Sequence, residues 1–138
     1  MQVHEREKMK IIHISGKRKR AIARATLKNG KGDVRVNNQI LEFFEPKFAR
    51  MKIMEPLILA GDQVKDFDII VSVRGGGWSS QAEASRLAIA RCLVEANKPL
   101  KKKFLDYDRH LIVADTRRKE MCKPNDSKAR AKRQKSYR

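Results

Sequence analysis

Cysteine is scarce in this chain, aromatic residues are few, and acids are outnumbered by bases. Cys92 and Cys122 are the only two cysteines in 138 residues and form no C-x-x-C pair, so neither a disulfide framework nor a zinc set is signalled. Both thiols are expected to be free. No run reaches the roughly eighteen apolar residues of a membrane-spanning helix, and the basic runs do not lie along an apolar helix face, which argues against a membrane partner. Met1 to Lys10 is charged and lacks the apolar core of a signal peptide, so a cytoplasmic chain is expected. Aromatics are 6% of the chain, too few to interleave with the basic runs, which makes base stacking on single strands a poor primary mode of contact.

Catalytic groupings are missing as well. His4, His13 and His110 are scattered, with no Ser-His-Asp or Cys-His set assignable. Asp66 with Asp68, and Asp106 with Asp108, could share a proton or a metal, but they stand in polar, Lys-rich sequence and read as solvated turns. No catalytic residue, metal ligand, cofactor or small-molecule substrate is assigned.

What the chain has in excess is positive charge: 33 Lys and Arg against 16 Asp and Glu, a formal +17, with a pI near 10.3. From Arg117 to Arg138 ten basic residues face two acids, Glu120 and Asp126, with almost nothing apolar to bury. Such a tail cannot fold alone and needs a polyanion. Nucleic acid is the favoured partner, held through its phosphates. Two further runs agree: Lys17-Arg18-Lys19-Arg20, with Arg24 following, and Lys101-Lys102-Lys103. The apolar residues cluster between Ile11 and Leu105, giving a polar segment 1–10, a folded body 11–116 and an extended basic tail 117–138.

Within the body, Ile11, Ile12 and Ile14 suggest a strand end. KRKRAIARATL from Lys17 and DVRVNN from Asp33 read as two strands joined in a hairpin about Asn29-Gly30-Lys31-Gly32, since Asn and Gly tolerate the positive φ of such turns. Lys47 to Met54 reads as a helix stopped by Pro56, with Leu57 to Ala60 as an added turn. Phe67 to Val73 is apolar on both faces at its centre, as a central strand requires. Ser80-x-x-Glu83 has capping-box spacing and predicts a helix from there to Ala96. Leu100 to Tyr107 reads as a short helix and Leu111 to Ala114 as a last strand or packed segment. The result is an α+β domain with its main helix on a small mixed sheet.

The stretch Arg74-Gly75-Gly76-Gly77 before that helix is the strongest local motif, because bare backbone and free helix amides bind phosphate. It lacks the G-K-[ST] of a nucleotide-hydrolysing loop and the dinucleotide spacing. The reading is a tight strand-to-helix turn able to take an RNA backbone phosphate.

GGGWSSQAEASRLAIARCL from Gly75 to Leu93, together with the terminal KARAKRQKSYR, resembles the family of small-subunit ribosomal protein nine. SGKRKRAIARATLKNGKG resembles that family's opening strand and turn, DTRRKE at Asp115 to Glu120 its pre-tail segment, and Ser136-Tyr137-Arg138 the archaeal and eukaryotic branch. Ser80 stands where Gly is frequent, and Cys92 where a smaller residue is common. The resemblance implies a ribosomal S-five-domain-two-like fold seated in the head of the small subunit, against ribosomal RNA and neighbouring head proteins. The basic positions of body and tail, Arg117, Arg118, Lys128, Arg130, Lys132 and Arg133 among them, would hold ribosomal RNA, and the last residues would touch peptidyl-site transfer RNA. That last role falls on Arg138, with Lys135 and Tyr137 beside it. The rival reading is an RNA-binding subunit of an RNA-processing ribonucleoprotein, whose protein component shares a similar fold but has no evident need of the tail.

Overall fold

The computed structural model describes residues 11–126, 128–132, 134 and 136–137. Alternation of small or branched apolar residues with polar ones builds a five-stranded sheet. The strands are β1 (Ile12–Arg18), β2 (Ala21–Asn29), β3 (Val34–Val36), β4 (Gln39–Ile40) and β5 (Phe67–Arg74). Their order is β1-β2-β5-β3-β4, so the last strand to be made is the middle one. β5 runs antiparallel to β2 and parallel to β3, and its Val71 lies opposite Ala25 on one side and Val36 on the other. Phe67 to Val73 is therefore the central strand that its apolar pattern requires.

The expected hairpin about Asn29 to Gly32 does not form. Asp68 prevents it: its Oδ1 accepts the backbone amides of Lys31 at 2.8 Å and Asp33 at 3.2 Å, while the Gly30 amide donates to the Asp66 carbonyl at 2.9 Å. The loop is thereby pinned to β5, which enters between the two strands. The true hairpins turn elsewhere. β1 and β2 close at Lys19 (φ +52°) and Arg20, inside the basic run, and β3 and β4 close at Asn37 (φ +49°) and Asn38 (φ +67°). The Asn37 side chain also accepts from the Val73 amide at 2.9 Å, prolonging the β3–β5 ladder by one step.

Three helices follow: α1 (Lys47–Ala60), α2 (Trp78–Ala96) and α3 (Leu100–Tyr107). Pro56 does not stop α1. An interior proline loses one hydrogen bond and costs about 3 kcal/mol, but Ala49, Ile53, Pro56 and Ala60 form one continuous buried stripe that holds the helix through it. α2 packs on one face of the sheet and α1 packs on α2. α2 begins at Trp78, after Gly77 and without a side-chain cap, so the Ser80 and Glu83 capping box is not made. Glu83 is drawn instead to Arg18 and Lys52. The segment after α3 forms a 3-10 turn over Arg109–Leu111 with Leu111 buried, a packed segment rather than a strand.

Small residues set the closeness of α2. Ala82, Ala84, Ala88 and Ala90 of α2, and Ala21, Ala23 and Ala25 of β2, are all fully buried. The tightest point is Gly16 on β1, where a Cβ would lie 2.5 Å from the Ala84 carbonyl oxygen and 2.8 Å from the Ala88 amide nitrogen. Cys92 is fully buried in the same helix, and its Sγ donates to the Ala25 carbonyl at 3.5 Å. Its role is that of a small packing residue.

Candidate nucleic-acid interface

Two turns meet at one end of the sheet. The β1–β2 turn brings Lys19 and Arg20 beside Gly75 (φ +77°) and Gly76 (φ +69°), which follow β5. Residue 75 has to be glycine, for a Cβ there would fall 2.6 Å from the Arg20 carbonyl oxygen in a backbone region that side chains avoid. α2 starts from this corner with its first amides uncapped by side chains, and the Gln81 Nε2 ties back to the Gly75 carbonyl at 3.2 Å. The chain beyond α3 then returns to the same corner. Together these segments enclose a cleft of about 1000 Å³ whose wall includes Arg18, Lys19, Arg20, Arg117, Arg118 and Lys119 against a single acid, Glu120. That acid is itself engaged, since Arg130 Nε donates to it at 2.9 Å. The cleft is accordingly a strong positive potential at the mouth of the tail.

The root of the tail is fastened to the body by ion pairs. Arg18 Nε donates to Glu83 at 2.7 Å, Lys52 Nζ donates to the other oxygen of Glu83 at 2.9 Å, and Arg18 Nη2 reaches Asp115 at 3.5 Å. Asp115 also accepts from the Arg117 side chain and, at 2.9 Å, from the Arg117 amide. The Arg117 guanidinium and amide hold the Asp115 carboxyl far below the usual carboxylate range. Upstream, Arg91 donates to the Ile112 carbonyl at 2.9 Å and to the Ser15 carbonyl at 3.2 Å, lashing this segment to β1. Arg86 joins Glu55 and Asp108, and Asp108 in turn accepts the His110 amide at 2.9 Å. Burial pushes the Asp108 carboxyl up, and the His110 amide and Arg86 together outweigh it and hold it low. Asp68 and Asp108 are thus structural acceptors rather than merely solvated turn residues.

The run Lys17 to Arg20 is divided by the fold. Lys17 points to the face of the sheet opposite the helices, Arg18 turns toward α2 and Asp115, and Lys19 and Arg20 form the turn. Arg24 and Arg74 share the open face with Lys17. Lys101, Lys102 and Lys103 are exposed on α3, just past the C-terminal end of α2, whose 19 residues put about 28 Å between them and the glycine corner. In the tail, Lys128, Arg130, Lys132 and Tyr137 are exposed. Arg133, Lys135 and Arg138 lie outside the described residues. Sequence reasoning passed over Arg35 and Lys28, which join the open face; the signal was present in Arg35 standing between the buried Val34 and Val36. It also passed over the Glu83, Arg86, Arg91 and Asp115 contacts, whose partners are too distant in the chain to leave a local pattern.

The chain is thus a small α+β body with a cationic cleft at one corner and a basic extension fastened beside it. Comparison with known proteins is specific. Residues 16–138 match the family described as ribosomal protein S9/S16. The chain is 52% identical over 134 residues to small ribosomal subunit protein uS9 of Methanococcus maripaludis strain C5, covering 94% of this chain and all of the relative. It is 49% identical over the same span to the protein of that name from Methanococcus vannielii. The chain belongs to the ribosomal protein S9/S16 family, and these relatives are archaeal, within the archaeal and eukaryotic branch that the Ser-Tyr-Arg ending resembles.

Proposed function

We propose that this protein is a structural constituent of the small ribosomal subunit, acts on the ribosome in the cytoplasm, and carries out no catalysis of its own. It binds small-subunit ribosomal RNA in the head and contacts peptidyl-site transfer RNA through Lys135, Tyr137 and Arg138. Family membership supports the setting, since the relatives are named as small-subunit proteins. The observation that carries the RNA reading is the cleft, where residues from the β1–β2 turn, the glycine corner and the tail root converge with six cations on the wall and one acid, already paired. Phosphates in that cleft meet Lys19, Arg20, Arg117 and Arg118. Arg18 and Arg117 additionally fix where the tail leaves the body, so the tail starts from a defined point. Lys128, Arg130, Lys132 and Arg133 then neutralise ribosomal RNA along its path, neighbouring head proteins pack around the body, and the S-five-domain-two-like description fits the arrangement of sheet and helices.

Gradient sedimentation of the tagged chain from a gentle lysate tests the setting. Stoichiometric co-migration with small subunits, surviving a high-salt wash, is expected; migration with a light RNA particle would instead favour an RNA-processing subunit. Deleting Lys135 to Arg138 should then leave assembly intact and weaken transfer-RNA retention, and loss of assembly with normal retention would refute that division of roles.

A further inference from the structure

We propose that the uncovered face of the sheet is a docking surface for double-stranded RNA. This rests on the RNA-binding reading above and adds a second surface to it, together with the form of RNA that the surface takes. α2 covers one face of the sheet. On the other, Lys17 and Arg74 flank Ile22 in one cross-strand row, Ser15, Arg24 and Ser72 make the next, and His13, Thr26, Ile70, Arg35 and Ile40 make a third. Lys28 lies beyond, opposite Asp68. All five cations are exposed, and none forms an ion pair among the described residues. Cations on the helix side behave differently: Arg18, Arg86 and Arg91 are each bonded to a carboxylate or a carbonyl. Among the strand residues of the open face, the acid Asp68 is occupied by the amides of Lys31 and Asp33.

The chemistry of this face selects its ligand. Its cations call for phosphates, with Lys17 and Arg74 about 10 Å apart across two strand spacings and Arg24 and Lys28 about 13 Å apart along β2. They frame an apolar centre of Ile22 and Ile70, each 38% exposed, suited to contact with sugars. None of the face residues in these rows is Phe, Tyr or Trp, and the one imidazole, His13 on the outer strand, is hydrogen-bonded to Thr26 Oγ1 at 2.8 Å, so unstacked bases find no extended platform and single strands are disfavoured. A broad, gently twisted sheet also fails to enter the major groove of B-form DNA, which admits a helix or a two-stranded ribbon. It matches the wide, shallow minor groove of A-form RNA, read by shape through phosphates and hydroxyls. Since the cleft opens at the sheet's end and this surface is its flat side, the protein can hold two RNA segments at once.

The test uses the full chain with three fluorescent probes: an RNA duplex of about 20 base pairs, an unstructured RNA strand of the same length, and the matching DNA duplex. In the Arg24→Gln/Arg35→Gln variant, RNA-duplex affinity should fall about 10-fold and its salt slope by about two, while single-strand affinity changes by less than about 2-fold. The cleft variant Arg20→Gln/Arg118→Gln should weaken both RNA forms. Unchanged duplex affinity in the face variant overturns the proposal, as does equal loss on all three probes, which would mark a general electrostatic field. A face variant that binds duplex normally yet fails to enter small subunits would also overturn it, making the face a protein contact. The synthetic probes need no ribosome, so failure of the chain to sediment with small subunits would sink the functional reading while leaving this one to its own result.

Discussion

Gly16→Ala is the most searching single test of how α2 is seated. The added methyl would sit 2.5 Å from the Ala84 oxygen and 2.8 Å from the Ala88 nitrogen, both backbone atoms of α2 that no rotamer change can clear. Ordinary contact begins near 3.4 Å, so helix and strand must separate by about 0.6 to 0.9 Å. At about 1.5 Å per residue, the 19 residues of α2 extend about 28 Å. Lifting a strip about 10 Å wide by about 0.7 Å opens about 200 Å³, which at about 24 cal/mol per Å³ costs about 5 kcal/mol. Tilting about the far end halves that, and measured overpacking costs of about 1–3 kcal/mol agree. Alanine restricts the unfolded chain and gives back about 0.4–1 kcal/mol, leaving a net loss of about 1.5–2 kcal/mol. For a domain this size that lowers Tm by roughly 6–15 °C in a thermal melt followed by circular dichroism. Adding Ala88→Gly should not rescue it, because the two backbone contacts remain. A fall of less than about 3 °C would refute the packing argument.

Other outcomes follow from the same geometry. Gly75→Ala should destabilise by about 1–3 kcal/mol in urea unfolding, whereas Gly77→Ala, with nothing within 4 Å of its Cβ position, should change stability by less than about 0.5 kcal/mol; equal effects would contradict the corner described. Burial pushes the Cys92 thiol up to about 11 and Cys122 is exposed, so an aromatic disulfide reagent at neutral pH should modify one thiol in the folded protein and both in denaturant. Rapid reaction of both before unfolding would show α2 to be loosely held. Burial raises the Glu83 carboxyl, but hydrogen bonds from Lys52 and Arg18 outweigh it and leave it below the usual range. Its stabilising effect is therefore complete above the unfolded value of about 4.3 and is lost as pH falls through the lower folded value. Glu83→Gln should flatten that part of the urea-midpoint profile, and an unchanged acid limb would remove Glu83 from the account.

Much of the body was legible because burial follows period. The run from Phe67 to Val73, apolar on both faces at its centre, marked the central strand, and the run of alanines from Ala82 to Ala90 marked a helix packed on a sheet. Basic patterning pointed to the cleft residues before any geometry was known. What escaped has a common cause in contacts between distant parts of the chain. Asn29-Gly30 is a strong local hairpin signal, and only Asp68, far downstream, overrides it. Pro56 is a strong local stop, and only the burial of its stripe keeps α1 going. Ser80 and Glu83 have the spacing of a cap, yet Arg18 offers Glu83 a charged partner across 65 positions of chain. The strand pairing that assembles the open face likewise cannot be read from the alternation of any one strand.

The central place of β5 also governs when the fold can exist. β2 ends at Asn29 and β5 begins at Phe67, so at about 5–20 residues per second of synthesis the partner arrives seconds late, while the β1–β2 hairpin closes in about 1–10 μs. For that interval β2 carries a bare edge, the kind of template on which chains aggregate. Arg24 and Lys28 lie on that strand, and Lys19 and Arg20 at its tip. The side chains proposed to face RNA thus guard a nascent edge, as charged gatekeepers do beside apolar strands. Pulse-labelled hydrogen exchange during refolding should accordingly find stable protection of β2 amides that donate to β5 arising with α2 and β5, after the hairpin's own.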